Sequence, residues 1–378
     1  MSKKQAAPQE QPLPLAPEDR EAEQVAYLSQ WQLVKRRFRR HRLAVLCMYA
    51  LIALYAVAVF AEFFAPYRPR TKSLDRIYSP PQVPRLSLSK GLHVRGVHYL
   101  EDPVTLRQEY LLDKKNTVPL RFFVKGEPYK IWGLIPWDRH FIGSPAGSPR
   151  VYILGADKYG QCLLSRLIYG SRISLSIGLV GITIASTLGI SLGGISGYAG
   201  GAIDTIIQRT IEIVRSFPSL PLWMALGAAL PADWSPLKTY FSITVILSLL
   251  NWTGLARVVR GKLLSLREED YAVAARLLGA SHARIIFRHL LPGFTSYIIV
   301  RLTLMVPAMI LGETALSFLG LGLRPPVVSW GVMLQDAMSM QAVANYPWLL
   351  MPAVFIIFTV LCFNYMGDGL RDAADPYH

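Results

Sequence analysis

The sequence predicts an all-α membrane protein with six transmembrane helices, a cytoplasmic helix–turn–helix and a small external domain between the first two spans. Three observations carry that reading. Only 17% of the 378 residues are charged, where a soluble domain carries about a quarter. The deficit lies in long runs: residues 43–61, 173–203, 216–232, 239–256, 302–312 and 341–367 hold no Asp, Glu, Lys or Arg. A span needs about 20 mostly apolar residues, because a hydrocarbon core of about 30 Å is crossed at 1.5 Å per residue. Lys and Arg gather at the ends of these runs and not on one soluble face, so the net charge of +15 reads as membrane topology and not as nucleic-acid binding. Buried helices of a large soluble protein would be shorter and carry polar stripes.

Residues 1–42 are polar and rich in Pro, Gln and Glu, and close on 35-KRRFRRHR-42. They are expected to be a cytosolic tail, disordered to about residue 19. The basic block comes too late, and the next run is too long, for a cleaved signal peptide. Residues 43–65 are therefore an uncleaved first span whose basic N-terminal flank stays inside. Residues 66–170 follow as an external segment. It is rich in Pro and aromatics, and strand-like pieces such as 119-PLRFFVKG-126 suggest a partly folded domain. Five more spans occupy 171–370, and 371–378 is a second cytosolic tail.

Charge tests this topology independently. Arg257, Arg260, Lys262, Arg267, Arg276, Arg284 and Arg288 fall between spans four and five, predicted inside; the outside loops 231–239 and 324–346 hold only Lys238 and Arg324. In span two, Gly189, Gly193, Gly197 and Gly201 recur every fourth residue, a face that lets helix backbones approach closely. Span three meets Pro218 and Pro221 just after Glu212 and Arg215. Proline removes a backbone donor, so this span is expected to be broken or tilted; whether it lines a pathway or merely kinks stays open.

The inside loop at 265–292 has its own design. Ser265-Leu266-Arg267-Glu268 fits a capping box. Tyr271, Ala274, Ala275 and Leu278 then form an apolar stripe on a helix too short and charged to span. Gly279 suits a left-handed C-terminal cap. Ser281 can cap a second short helix with Ile285, Ile286 and Leu290 on one side and Arg284 and Arg288 on the other, and Pro292 is expected to end it. An amphipathic helix among headgroups is the plain alternative. A glycine-pivoted pair with small alanines on its leading face better suits docking by a rigid cytosolic protein.

Ala274, Ala275, Gly279, Leu291 and Pro292 stand at the spacing of the cytoplasmic coupling loop of ATP-binding cassette importer permeases, which this stretch resembles. It departs at Val273, where the family often has Glu, and at His289, where Ile is usual. Three further stretches are similar to the oligopeptide/dipeptide and nickel permease branch: 155-GADKYGQCLLSRLIYGSRISLSIG-178, 313-ETALSFLGLGLRPPVVSWGVML-334 and 364-NYMGDGLRDAADP-376. In the first, Gln161-Cys162 replaces a common Arg-Asp. The resemblance implies a prokaryotic inner-membrane permease with both termini cytosolic. It also implies a second permease subunit, cytosolic ATPases that dock on 265–292 and hydrolyse the ATP, and an external solute-binding protein. Peptide is the implied cargo, with nickel, oligosaccharide or another small solute as alternatives.

The chain itself has no G-x-x-x-x-G-K-[ST] phosphate loop. No cofactor, metal or catalytic residue is expected in it: Cys47, Cys162 and Cys362 are unpaired by spacing, and no catalytic constellation assembles. The alternative from another class, an ion-driven secondary transporter, would need inverted repeats and buried coupling groups; the sequence shows no internal repeat and few buried charges. Glu313 and Arg301, ionisable groups within a membrane run, are candidates for a pathway or gate. Snorkelling or pairing is the alternative for Arg301, and a place at the interface for Glu313. Trp330 is expected to anchor an external or re-entrant loop at the interface.

Overall fold

A computed structural model describes residues 30–88, 90–101, 108–231 and 233–375. The disordered tail expected before residue 19 lies outside them. Helix α1 (Gln30–Arg40) carries the basic block and is followed at once by α2 (Arg42–Val59). The tail of 1–42 is thus helical from Gln30, and the Arg37 guanidinium donates to the Asp375 carbonyl at 2.5 Å. The first described helix and Asp375 therefore lie together.

Residues 85–143, in the segment expected to be external, form two antiparallel sheets. Strands β1 (Arg85–Ser87), β2 (Gly91–Glu101) and β3 (Gln108–Pro119) make one, and β4 (Arg121–Ile131) with β5 (Ile135–Gly143) the other. Val94, Val118, Leu120 and Val151 close a small core under the first. The β4–β5 hairpin hooks onto the end of α2: Trp132 Nε1 donates to the Val59 carbonyl at 2.9 Å, and Phe141 packs on Phe63 and Phe64. Arg172 satisfies the Ala58 and Val59 carbonyls and grips Glu62 at 2.7 and 2.6 Å. The Arg172 side chain thus serves carbonyls at a helix end, which has no following turn of the same helix to pair them.

The second span begins earlier than residue 171. Helix α3 (Leu163–Ala199) runs 37 residues and ends at Gly200 and Gly201, both with positive φ. The third expected span is split. Helix α4 (Gly201–Ser216) breaks at Phe217–Pro218, and α5 (Ser219–Ala228) has only 10 residues, about 15 Å at the helical rise. Proline at 218 removes the donor that would continue the ladder. Helix α6 (Pro236–Leu266) follows, then α7 (Asp270–Leu277), α8 (Thr295–Phe318), α9 (Trp330–Leu334) and α10 (Met351–Ala374). The boundary expected at 370 moves outward accordingly.

Among the described residues five helical stretches are long and apolar enough to cross a membrane. The remaining crossing expected from the sequence, the third in chain order, falls on the α4–α5 pair, of which only α5 is an apolar helix and is shorter than a span. Asp204 at the start of the pair lies against Arg260 near the end of α6, and a Cβ on Gly227 at its finish would sit 2.8 Å from the Leu321 carbonyl beyond α8. The main core joins α3, α6 and α8 through Ile177, Leu247, Leu255 and Met309. A second core seats α2 and α10 on α3 through Leu51, Leu175 and Phe363.

Candidate functional site

The expected capping box does not form. Ser265 still belongs to α6, which runs through Leu266, and Glu269 occupies the N-cap of α7 without a side-chain hydrogen bond. Leu263, Leu264 and Leu266 extend the preceding helix through Ser265 instead of opening a new one. The other end matches the expected geometry. Gly279 has φ +77°, its N–H donates to the Arg276 carbonyl, and the Ala280 N–H donates to the Ala275 carbonyl. These paired bonds are a Schellman motif, which needs a left-handed residue at this position.

Three of the four stripe residues, Tyr271, Ala274 and Leu278, are exposed. Tyr271 is 46% exposed, Leu277 81% and Leu278 87%, and Ala274 is exposed beside them. Ala272 is buried and Ala275 packs inward on the main core. The helix thus holds the bundle by one face and offers a small apolar surface on the other.

The returning limb is capped by the Ser281 hydroxyl, which accepts from the Arg284 N–H at 3.4 Å. Ile285, Ile286 and Leu290 are buried, while Arg284 and Arg288 are exposed. Pro292 does not end the element. A wide π turn over Ile285–Leu290 and a 3₁₀ turn over Leu291–Phe294 lead into α8, so the chain is helical from His282 to Phe318. The wider turn absorbs the donor that proline lacks.

Behind the loop, α3 and α6 meet through the predicted glycine face. A Cβ on Gly189 would lie 2.9 Å from Leu255 Cβ; on Gly193, 2.5 Å from the Ala256 carbonyl oxygen; on Gly197, 2.8 Å from that of Arg260. Gly201 lies beyond the break and has nothing within 4 Å.

Residues 189–377 match the family described as binding-protein-dependent transport system inner membrane component, and residues 29–81 match the N-terminal TM domain of oligopeptide transport permease C. The chain belongs to the first of these families. The oligopeptide transport system permease protein of Haemophilus influenzae is 41% identical over 226 residues, covering 60% of this chain and 70% of that one. The dipeptide transport system permease protein of Bacillus subtilis is 40% identical, with 59% and 68% covered. The glutathione transport system permease protein of Pectobacterium atrosepticum is 36% identical, with 66% and 79% covered. Among solved structures, the inward-facing MetNI methionine transporter aligns with a TM-score of 0.43 at 17% identity, covering 55% of this chain and 95% of its own.

The matched region of this permease contains the loop, the glycine face and both ionisable candidates. Glu313 is fully buried, and accepts from Ser329 at 2.7 Å, from Ser317 at 2.8 Å and from Ser174 at 3.4 Å. These serines come from three segments of the permease, so the carboxylate pins α9 against α3 and α8. Trp330 is no interfacial anchor. It is completely buried, its backbone N–H donating to Ser174 Oγ and its indole N–H to the Leu167 carbonyl, each at 3.1 Å.

Arg301 has a different setting. It is exposed, and it lines a cavity of about 460 Å³ together with Arg215, Ser219, Trp223, Asn251 and Thr253. The candidates are therefore not one site, since Glu313 does not line this cavity.

Two ion clusters of the permease escaped sequence reading. Asp204 takes a bidentate pair from Arg260 and a hydrogen bond from Ser196. In the second, Arg166 bridges Asp157 and Asp336, and Asp336 also holds Lys158 at 3.0 Å. Burial alone would lower the Lys158 pKa, but Asp336 outweighs it and raises it above the ordinary value. Partners 56 and 170 positions apart leave no periodic signal.

Proposed function

We propose that this permease is one of two membrane subunits of a peptide importer, driven by separate cytosolic ATPases and supplied by an external solute-binding protein. The peptide cargo rests on relatives that are oligopeptide, dipeptide and glutathione permeases by name. The single observation that carries the coupling role is α7: a short helix fixed at its glycine end, with Tyr271, Ala274, Leu277 and Leu278 facing outward. An apolar strip of this size, placed among basic residues, fits a protein groove.

In this reading, closure of the ATPase pair pushes α7. Force passes through Ile285, Ile286 and Leu290 into the unbroken helix from His282 to Phe318, and the bundle rocks between inward- and outward-facing states. Nucleotide stays with the partner subunits. The α4–α5 pair counts as the third of six crossings, and the chain lies in a prokaryotic inner membrane with both termini and the loop 265–292 on the cytosolic side.

Cys47, Cys162 and Cys362 are all buried, so Ala274→Cys introduces an accessible thiol. Cross-linking in the assembled complex is expected to capture an ATPase subunit, and an impermeant maleimide to label only from the cytosolic side. Labelling from outside, or capture of no ATPase, overturns the coupling reading. ATP-dependent uptake of nickel or an oligosaccharide, with none of a peptide, overturns the cargo.

A further inference from the structure

The cavity beside the break between α4 and α5 carries two cations without counter-ions. Arg215 comes from the last turn of α4 and Arg301 from α8. Among the described residues neither guanidinium has an ion pair or hydrogen bond, and no carboxylate lines the cavity. Its polar lining is Ser219, Asn251 and Thr253. Ser219 is the first residue of α5, whose N-terminus has no side-chain cap.

Position makes this arrangement informative. Asn251 lies in α6 (Pro236–Leu266), toward the end of its charge-free run 239–256. Arg301 is close enough that a Cβ on the adjacent Gly254 would lie 3.9 Å from its guanidinium. Gly254 lies two residues before the end of the charge-free run 239–256 and Arg301 directly before the run 302–312, so the guanidinium stands at the edge of the apolar zone, where a cation persists if it meets water or an anion. The broken helix alongside supplies what lipid-facing elements lack: free backbone amides at its restart, as in transporters whose half-helices face an anionic solute group.

We propose that this cavity is a binding site for the carboxylate of the transported solute, with Arg301 and Arg215 as its anion-contacting residues. Resting on the peptide reading above, the group is the C-terminal carboxylate of the peptide, held by planar guanidiniums suited to two-point recognition. At about 460 Å³ the cavity takes the terminal residue or two of a peptide, not a long chain. The other source of the same chemistry is an acidic side chain of the second permease subunit, and the test separates them.

The assembled complex in lipid nanodiscs, without binding protein, is treated with phenylglyoxal, and modification of Arg215 and Arg301 is mapped by mass spectrometry. A tripeptide with a free C-terminal carboxylate is expected to protect both, while its C-terminal amide does not. Equal protection by the two peptides, or none by either, overturns the assignment. So does a pair of arginines unreactive in the complex with or without peptide, since the partner subunit then fills the cavity. In proteoliposomes Arg301→Gln is expected to lower uptake of the peptide acid about tenfold or more with ATPase assembly intact; unchanged uptake overturns the site. Wild-type uptake of peptide without arginine protection removes this assignment alone. No peptide uptake at all removes the peptide reading and this assignment with it.

Discussion

Asp204 receives two hydrogen bonds from Arg260, at 2.6 and 2.5 Å, and these tie the start of the broken third segment to the end of α6. Ser196 at the end of α3 donates to the same carboxylate, and Gln208 donates to Ser196 at 3.1 Å. Removing one partner of such a charge-assisted pair costs about 1–3 kcal/mol. Asp204→Ala and Arg260→Ala are each expected to lower thermal stability in nanodiscs, and the double variant to cost no more than the worse single one. Additive losses in that cycle would show that the two side chains act independently.

The glycine face gives a prediction with its own control. Gly193 opposes the Ala256 backbone, which cannot rotate out of the way, whereas a Cβ on Gly261 would meet nothing within 4 Å. Gly193→Ala is expected to destabilise by about 1–3 kcal/mol through overpacking. Gly261→Ala is expected to be neutral or stabilising by up to about 1 kcal/mol, as helix propensity dictates. Paired melting curves check both, and a tolerated Gly193→Ala would remove the close-packing account of α3 and α6.

Much of this was legible in the sequence, and the reasons divide cleanly. Spans such as α2 and α10 announce themselves by composition. The faces of Gly189, Gly193 and Gly197, and the turn at Gly279, follow from spacing and from one residue's conformational freedom. What resisted reading was long-range or continuous. The Glu313 carboxylate meets a serine 139 positions earlier, which no period encodes. Trp330 looks interfacial as a residue type, yet Ser174 and Leu167 bury it. Pro292 reads as a stop, but a π turn ahead of it lets the helix continue. Arg301 was legible as an ionisable group in a span, while its cavity was not, because Arg215 reaches it from a separate helix.

Burial and hydrogen bonding at Glu313 predict a fixed structural anchor. Glu313→Ala strands the Ser317 and Ser329 hydroxyls in a fully buried site, at about 1–3 kcal/mol per unsatisfied group. Glu313→Gln, which keeps acceptor capacity, is expected to lose much less. Peptide uptake should track assembly in both variants; loss of uptake by a fully assembled, stable Glu313→Gln complex would mean that the charge serves the transport cycle.

Glu62, beyond the end of α2 at Val59, predicts how this end of the bundle responds to acid. Burial pushes its pKa up, but the Arg172 hydrogen bonds and charge outweigh burial and leave it below the ordinary value of 4.5. A depressed carboxylate contributes stability above the unfolded pKa and loses it as pH falls through the folded one. The stability advantage of wild type over Glu62→Gln is therefore expected to be full at neutral pH and to shrink as pH drops below about 4.3. Melting curves from pH 7 to pH 3 check the sign; an advantage that grows on acidification would contradict the Arg172 grip.

Gly279 separates conformation from contact in the loop proposed to couple to the ATPases. Its φ is +77° and a Cβ there would touch nothing within 4 Å, so a substitution disturbs the backbone and not a neighbour. A left-handed position is open to glycine, tolerated by asparagine and costly by about 1–2 kcal/mol for other L-residues, most of all β-branched ones. ATP-driven uptake by the assembled complex is therefore expected to fall in the order Gly, Asn, Ala, Val at this site. Surface area alone would rank Ala closest to Gly. If Gly279→Ala outperforms Gly279→Asn, the Schellman turn is not what sets the angle of α7, and the loop must hold that helix by other means.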